Sequence, residues 1–223
     1  MNANSFFSKI AGNYDKLSQM LSLGLDKALI KEAIKESKVD GVRNPKVLDI
    51  ATGTGNVAIA IAQKYSSYSI TGLDISSEML KIAEKKSKGM KRIRYMLGDV
   101  ESINMPSNSF DIVISAFSLS TFADLPKALE EMHRVLKPGG KIILLDMLKI
   151  TDATLKRLMK IYYSLSVIPA LDSHVRSDVE KYIQKRFEVD KKSVIRMLQI
   201  TGFRDISSKE LSVGLAFIVT AYK

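Results

Sequence analysis

Between Lys46 and Met147, short apolar runs alternate with longer amphipathic ones. KVLDIA (Lys46–Ala51) and SITGLD (Ser69–Asp74) are apolar over a few residues, the pattern of strands covered on both faces. RIRYMLGD (Arg92–Asp99), SFDIVISAF (Ser109–Phe117) and KIILLDM (Lys141–Met147) repeat that pattern. The stretches between them have helical spacing. Asn56–Tyr65 places Val57, Ala58, Ile61 and Ala62 on one side, and Ser76–Lys88 turns Met79, Leu80 and Ala83 inward with Ser76 as its cap. Pro126–Leu136 forms a third helix, stopped by Pro138-Gly139-Gly140. Strand and helix alternating in this way predict a parallel sheet with helices on both faces.

The two ends follow other patterns. Phe6, Phe7, Ile10, Tyr14, Leu17 and Leu21 share one helical face, and a second helix begins over Leu25–Ile34. Residues 148–190 show no strand alternation. Lys191–Thr201 reads as a helix ended by Gly202, and two last strands, Phe203–Leu211 and Leu215–Tyr222, turn near Gly214. The prediction is one α/β domain over residues 1–223: a Rossmann-like, seven-stranded, mostly parallel sheet with an antiparallel C-terminal hairpin strand. Residues 1–45 form an N-terminal helical cap, and residues 148–190 a helical cover segment.

Composition narrows the chemistry. With no Cys, disulfide frameworks, thiolate zinc sites, iron–sulfur clusters and cysteine nucleophiles are excluded. The two His, His133 and His174, cannot form a multi-histidine site, and no metal is expected. The net charge of +10 invites an anionic partner. About half of the excess lies in Glu78–Arg94, where seven basic side chains face two acidic ones with only Tyr95 beside them. That is a solvated surface rather than a base-stacking platform, so nucleic acid is not an expected partner. The opening MNANSFFSKI lacks the apolar core and cleavage site of a secretory leader, and no window approaches about 18 uncharged apolar residues. A cytoplasmic location is expected.

VLDIATGTGNVA (Val47–Ala58) carries the strongest chemical signal. An apolar strand runs into Gly53-Thr54-Gly55 and a helix opens at once, so the loop lies where open α/β sheets bind ligands. Gly53, Gly55 and Ala58 fit a loose dinucleotide fingerprint. Asp49 argues against it, because a pyrophosphate would not favour a carboxylate just before the turn. A cationic ligand without phosphate would accept it, or would rely on it to fix the loop; S-adenosylmethionine (SAM) is such a ligand. Asp74 ends the second strand and can accept both hydroxyls of a ribose. Asp99 ends the third and can accept a bond from an adenine amino group. Three acidic residues ending successive strands are hard to explain as separate turn formers.

VLDIATGTG, GLDIS (Gly72–Ser76), GDVE (Gly98–Glu101), NSFDIVISAF (Asn108–Phe117) and RVLKPGGKIILLD (Arg134–Asp146) resemble the successive motifs of class I SAM-dependent methyltransferases. With the opening Phe6–Leu29 and the ending GFRDISSKELSVGLAFIVTAYK, nearly the whole chain resembles the ubiquinone/menaquinone C-methyltransferase family. The resemblance implies SAM as cofactor, with S-adenosylhomocysteine as product. It implies that Asp49 and the Gly53, Thr54 and Gly55 loop, with Ala51, hold the methionine part. Asp74, with Ile75 and Met79 beside it, would take the ribose, and Asp99 and Val100 would flank the adenine. Ala116 and Phe117 would face the reactive methyl, and Tyr14 would cover the cofactor.

The chain departs from the family where Gly-Leu-Arg-Asn follows the fourth strand. Ser118-Leu119-Ser120-Thr121 stands there, without the Arg and Asn that could engage ring oxygens. The Tyr-rich run before the last helix is altered too, to SHVRSDVEKYIQKRF (Ser173–Phe187). A quinone precursor fits the cofactor half and not the half at Ser118–Thr121. The expected partner is a small hydrophobic or aromatic acceptor, which the apolar surplus of Leu158–Leu171 suits. Transfer from a sulfonium needs alignment more than acid–base chemistry, so His174 is only a weak candidate base and His133 is structural. The N-terminal helix with Phe6, Phe7, Lys9 and Lys16 has two readings: docking on its own domain, the usual fate of such a helix, or peripheral membrane contact. RNA methylation and SAM binding without catalysis stand as alternatives. The sequence does not fix the oligomeric state or the atom methylated.

Overall fold

In a computed structural model, which describes residues 3–223, the chain folds around one seven-stranded sheet. Strands β1 (Lys46–Ile50), β2 (Ser69–Asp74), β3 (Ile93–Leu97), β4 (Phe110–Ala116), β5 (Leu136–Met147), β6 (Arg204–Leu211) and β7 (Ala216–Tyr222) lie in the order β3-β2-β1-β4-β5-β7-β6. The first five are parallel; β7 runs antiparallel to both β5 and β6. The sequence-predicted hairpin is present, with β7 inserted between its partners.

The helices are α1 (Ala3–Ile10), α2 (Tyr14–Leu21), α3 (Asp26–Glu36), α4 (Asn56–Lys64), α5 (Ser77–Lys86), α6 (Leu125–Val135), α7 (Ala153–Tyr162), α8 (Ser173–Arg186) and α9 (Lys191–Thr201). One apolar cluster joins α6 and α9 to one face of the sheet, and a second joins α3 and α4 to the other. Their strand residues alternate along β1: Leu48 and Ile50 enter the first cluster and Val47 the second, as period-two side chains must. A third cluster lies apart from the sheet. It gathers Phe6, Ile10, Leu17 and Leu21 against Met159, Tyr163, Val179, Tyr182 and Ile183, with Met79 of α5 beneath. This is the cap, built from the N-terminal helices and the cover segment together.

Three expectations are corrected. The N-terminal apolar face is not one helix, because a tight turn at Ala11–Asn13 separates α1 from α2; Gly12 and Asn13 are poor helix formers. Pro138-Gly139-Gly140 does not cap a helix. Leu136 is already extended, with ψ 141°, and Lys137–Gly140 forms a bulge between the pairs Phe110–Leu136 and Ile112–Lys141. A residue preceding proline disfavours helical backbone, and Gly139 takes φ +73°. The third strand stops at Leu97, and Asp99 bridges to Ser102 in the turn beyond it. Ser76 does cap α5, accepting from the Met79 N–H at 3.3 Å.

Candidate functional site

β1 lies between β2 and β4, so the chain reverses its direction across the sheet there, and a crevice opens beyond the carboxyl ends. It holds a cavity of about 260 Å³. Ten of the thirteen sequence-predicted cofactor residues line it: Tyr14, Ala51, Gly53, Asp74, Ile75, Met79, Asp99, Val100, Ala116 and Phe117.

The other three, Asp49, Thr54 and Gly55, stand behind the wall. Asp49 is buried; it accepts from the Thr52 hydroxyl at 2.5 Å and from the Ala58 N–H in the first turn of α4 at 3.1 Å. Burial pushes its carboxyl up to about 7, against the pull of those two donors. Its place is therefore to fix the glycine turn, one of the two readings the sequence left open. Ala51, Gly53 and Gly55 all have positive φ. Gly55 is also crowded: a Cβ there would fall 2.6 Å from the Tyr95 hydroxyl. Thr54 donates to Asp15 at 2.5 Å, and Lys86 donates to Asp15, Thr54 and Asn56. Partial burial works to raise the Asp15 carboxyl, yet these donors hold it below its ordinary value. The group ties α2 to the loop.

Asp74 is held from both sides, accepting from the Gly53 N–H at 2.7 Å and the Ser76 N–H at 2.9 Å. Burial raises its carboxyl, opposed by those backbone donors. Asp99 accepts from the Glu101 N–H at 2.9 Å. Tyr14 closes the cavity above Gly53, its ring 3.7 Å from where a Cβ would stand. Burial pushes its phenol far up, so it remains protonated.

Sequence reasoning missed several wall residues. Glu101 was visible in GDVE; it accepts from the Ala123 and Asp124 N–H groups, both at 2.8 Å, and so anchors the loop that bears Thr121 and Phe122. Phe7 and Lys185 reach the cavity from α1 and α8. Behind Phe117 lies Arg186, 1% exposed, its guanidinium 4.9 Å from that ring. It donates to the Tyr182 hydroxyl at 2.8 Å, while Nε and Nη2 have no partner among the described residues. Asp146, fully buried nearby, accepts from the Leu119 and Met147 N–H groups. Burial lifts its carboxyl to about 6, although the Arg186 charge pulls it down. Phe117 itself has φ +61° and donates its N–H to the Leu145 carbonyl at 2.8 Å. No sequence spacing announces Arg186 or Lys185.

His174 sits exposed in the first turn of α8, outside the cavity. His133 is half-buried, edge-on to Phe203 at 4.9 Å, and burial lowers its pKa. Phe6 packs inward against Tyr182. The basic stretch Lys81–Arg94 lines the outer side of α5 and the following turn, apart from Lys86 at the loop and Arg94 on β3, which donates to the Thr71 hydroxyl at 2.9 Å.

The charged groups facing the cavity are Asp74, Asp99, Glu101 and, at its edge, Lys185. Carboxylates at the ends of β2 and β3 can accept from ribose hydroxyl and adenine amino groups, and their negative charge attracts a cationic ligand. A phosphate-free cationic adenosine compound fits this set, while Asp74 alone would suit the ribose of a dinucleotide equally well.

The sequence profile described as the ubiE/COQ5 methyltransferase family matches residues 2–223. The ubiquinone/menaquinone biosynthesis C-methyltransferase UbiE of Rickettsia bellii is 34% identical over 231 residues, which span 99% of this chain and 92% of that one. A SAM-dependent methyltransferase of Thermotoga maritima superposes with a TM-score of 0.71 at 16% identity, over 98% of this chain and 99% of that one. One from Aquifex aeolicus gives 0.65 at 20% identity, over 92% and 97%. These two structures share the fold.

Proposed function

The chain belongs to the ubiE/COQ5 methyltransferase family and is a SAM-dependent methyltransferase, and from that premise we propose that it methylates a ring carbon of a hydroxylated aromatic compound of the quinone-precursor class. The observation that carries this reading is the make-up of the cavity. It runs without a break from the carboxylates of β2 and β3 to Phe117, Phe122 and Phe7. One end suits the adenosine of the donor and the other an apolar ring.

Bound SAM would supply a methyl group activated by the sulfonium charge, the C–S bond breaking as the ring carbon bonds to that methyl, with S-adenosylhomocysteine leaving and the ring carbon's proton passing to solvent. The chain supplies alignment and dryness, and alignment alone is worth roughly 7–11 kcal/mol in well-oriented systems. Asp74 takes the ribose hydroxyls, and Asp99 and Val100 flank the adenine. Tyr14, tied down through its neighbour Asp15, shuts water out over Gly53. Phe117 gives the acceptor ring a flat wall. Ring oxygens meet the ammonium of Lys185 in the cavity wall, because the Thr121 hydroxyl donates to the Ser118 carbonyl at 2.6 Å and the Ser118 hydroxyl is paired with that of Ser115. Lys185 stands in for the Arg and Asn absent from Ser118–Thr121.

The test is transfer of labelled methyl from SAM to a reduced naphthoquinone or benzoquinone lacking one ring methyl. Label on a ring carbon is the expected product, with Lys185→Met raising KM several-fold, the scale of an exposed charge, at little cost to SAM binding. Label on a phenolic oxygen, or in RNA instead of the quinol, would overturn the acceptor class. SAM binding with no transfer to either would favour a binding protein.

A further inference from the structure

The apolar surface that the cover segment turns outward has no partner within the chain. Leu155, Leu158, Ile161 and Leu165 are 37%, 58%, 46% and 74% exposed, and all lie on α7 or the turn after it. Leu158, Ile161 and Leu165 recur at steps of three and four, a single helical stripe. Met159 and Tyr163 occupy the other side and are buried in the cap. Lys156, Arg157 and Lys160 flank the stripe and are exposed. From Ala153 to Leu171 the sequence has no acidic residue. On one flank a groove of about 950 Å³ begins, with Lys149, Lys156 and Lys160 on its α7 side and Glu180 and Glu188 on its α8 side.

We propose that α7 and the turn after it lie in the headgroup layer of an anionic lipid bilayer, apolar stripe inward. Charge selects this occupant. Leu and Ile between Lys and Arg is the composition of an interfacial helix, and the surplus positive charge matches an acidic leaflet. A second copy of the chain would bring two basic faces together. RNA would find an aliphatic stripe without a stacking ring. The N-terminal helix, for which the sequence left membrane contact open, has instead turned Phe6 into the cap and Phe7 into the cavity. The stripe is coupled to the site: the Tyr162 and Tyr163 hydroxyls donate to the Met20 and Leu21 carbonyls at 3.0 and 3.1 Å, at the end of the helix that begins with Tyr14.

The experiment is sedimentation of the full chain with vesicles of phosphatidylcholine, alone or mixed with phosphatidylglycerol. The protein should pellet with the mixed vesicles. Lys156→Gln, Arg157→Gln and Lys160→Gln together should weaken partitioning on the order of a hundredfold. Leu158→Ser, Ile161→Ser and Leu165→Ser together should weaken it by on the order of tenfold or more. SAM titration monitors folding, because none of the six substituted residues touches the cofactor cavity. Equal partitioning of wild type and both variants would overturn the proposal. So would vesicle-independent self-association lost in the Leu/Ile variant, which would assign the stripe to a second copy. Binding to RNA but not to vesicles, lost in the Lys/Arg variant, would also overturn it.

Discussion

The two walls of the cavity are held by different physics. The wall at the ends of β1, β2 and β3 is polar and fixed by backbone: Asp74 by two N–H groups, the glycine turn by Asp49, and the Thr121–Ala123 segment by Glu101. The wall from the cap is apolar packing around Tyr182, with one buried guanidinium inside it. The first is a preorganised receptor whose parts each have a named partner. The second is a lid whose one buried charge among the described residues keeps two of its donor nitrogens unmet. A fixed floor and a less completely satisfied lid suit an enzyme that must hold its cofactor and still admit an acceptor.

Asp74→Ala attacks the floor and should have the largest effect. It removes the carboxylate assigned to the ribose and leaves the Gly53 and Ser76 N–H groups unpaired. SAM binding by calorimetry should weaken on the order of 100-fold, since hydrogen bonds to charged groups contribute about 1.5–3 kcal/mol each. Folding should weaken as well, by about 1–3 kcal/mol for the buried Ser76 N–H left without its acceptor; unchanged SAM affinity in the folded variant would put the cofactor elsewhere.

Arg186→Met attacks the lid. It removes the donor to the buried Tyr182 hydroxyl, at a cost of about 1–3 kcal/mol, and the positive charge that favours the ionised form of Asp146. The pH dependence separates this from lost packing. Asp146 titrates near 4 when unfolded and about 6 when folded, so the native state holds the extra proton in that window and wild-type stability falls as pH rises through it. Without Arg186 the folded value moves higher still. The variant should therefore keep losing stability above pH 6, where the Asp146 contribution of the wild type has levelled off. Adding Asp146→Asn should abolish the difference in slope. Denaturant unfolding from pH 5 to 8 reads it.

His174→Ala touches neither wall and should change turnover and stability least, within about 0.5 kcal/mol. A large fall in turnover would bring the first turn of α8 into the site and break the division drawn here.

The same division governs what could be read from sequence. Strands buried on both faces announce themselves as apolar runs, and their ends fix where Asp74, Asp99 and Phe117 must lie. The floor was legible almost residue by residue; Asp49, Thr54 and Gly55 stand behind the wall, Asp49 fixing the turn as one of its two readings had it, and Asp99 lies just beyond its strand. Glu101 was within a recognised motif. The lid was legible as helices but not as a site. Which side of a helix meets a cavity depends on how it docks. Lys185 and Arg186 are adjacent in sequence, yet one is at the cavity edge and the other is buried behind Phe117. The bulge at Pro138–Gly140 misled for another reason, since the signals that end a helix also serve an irregular strand.

The third apolar cluster has a consequence for timing. It draws on the sheet's own helices chiefly through Met79, while the two sheet clusters close without it. The cap is thus a cooperative unit of its own, able to open by local unfolding while the sheet stays closed. Amide protons of α1, α2, α7 and α8 then exchange on a faster clock than those of β1, β4 and β5, and the same clock sets how often spent cofactor can leave.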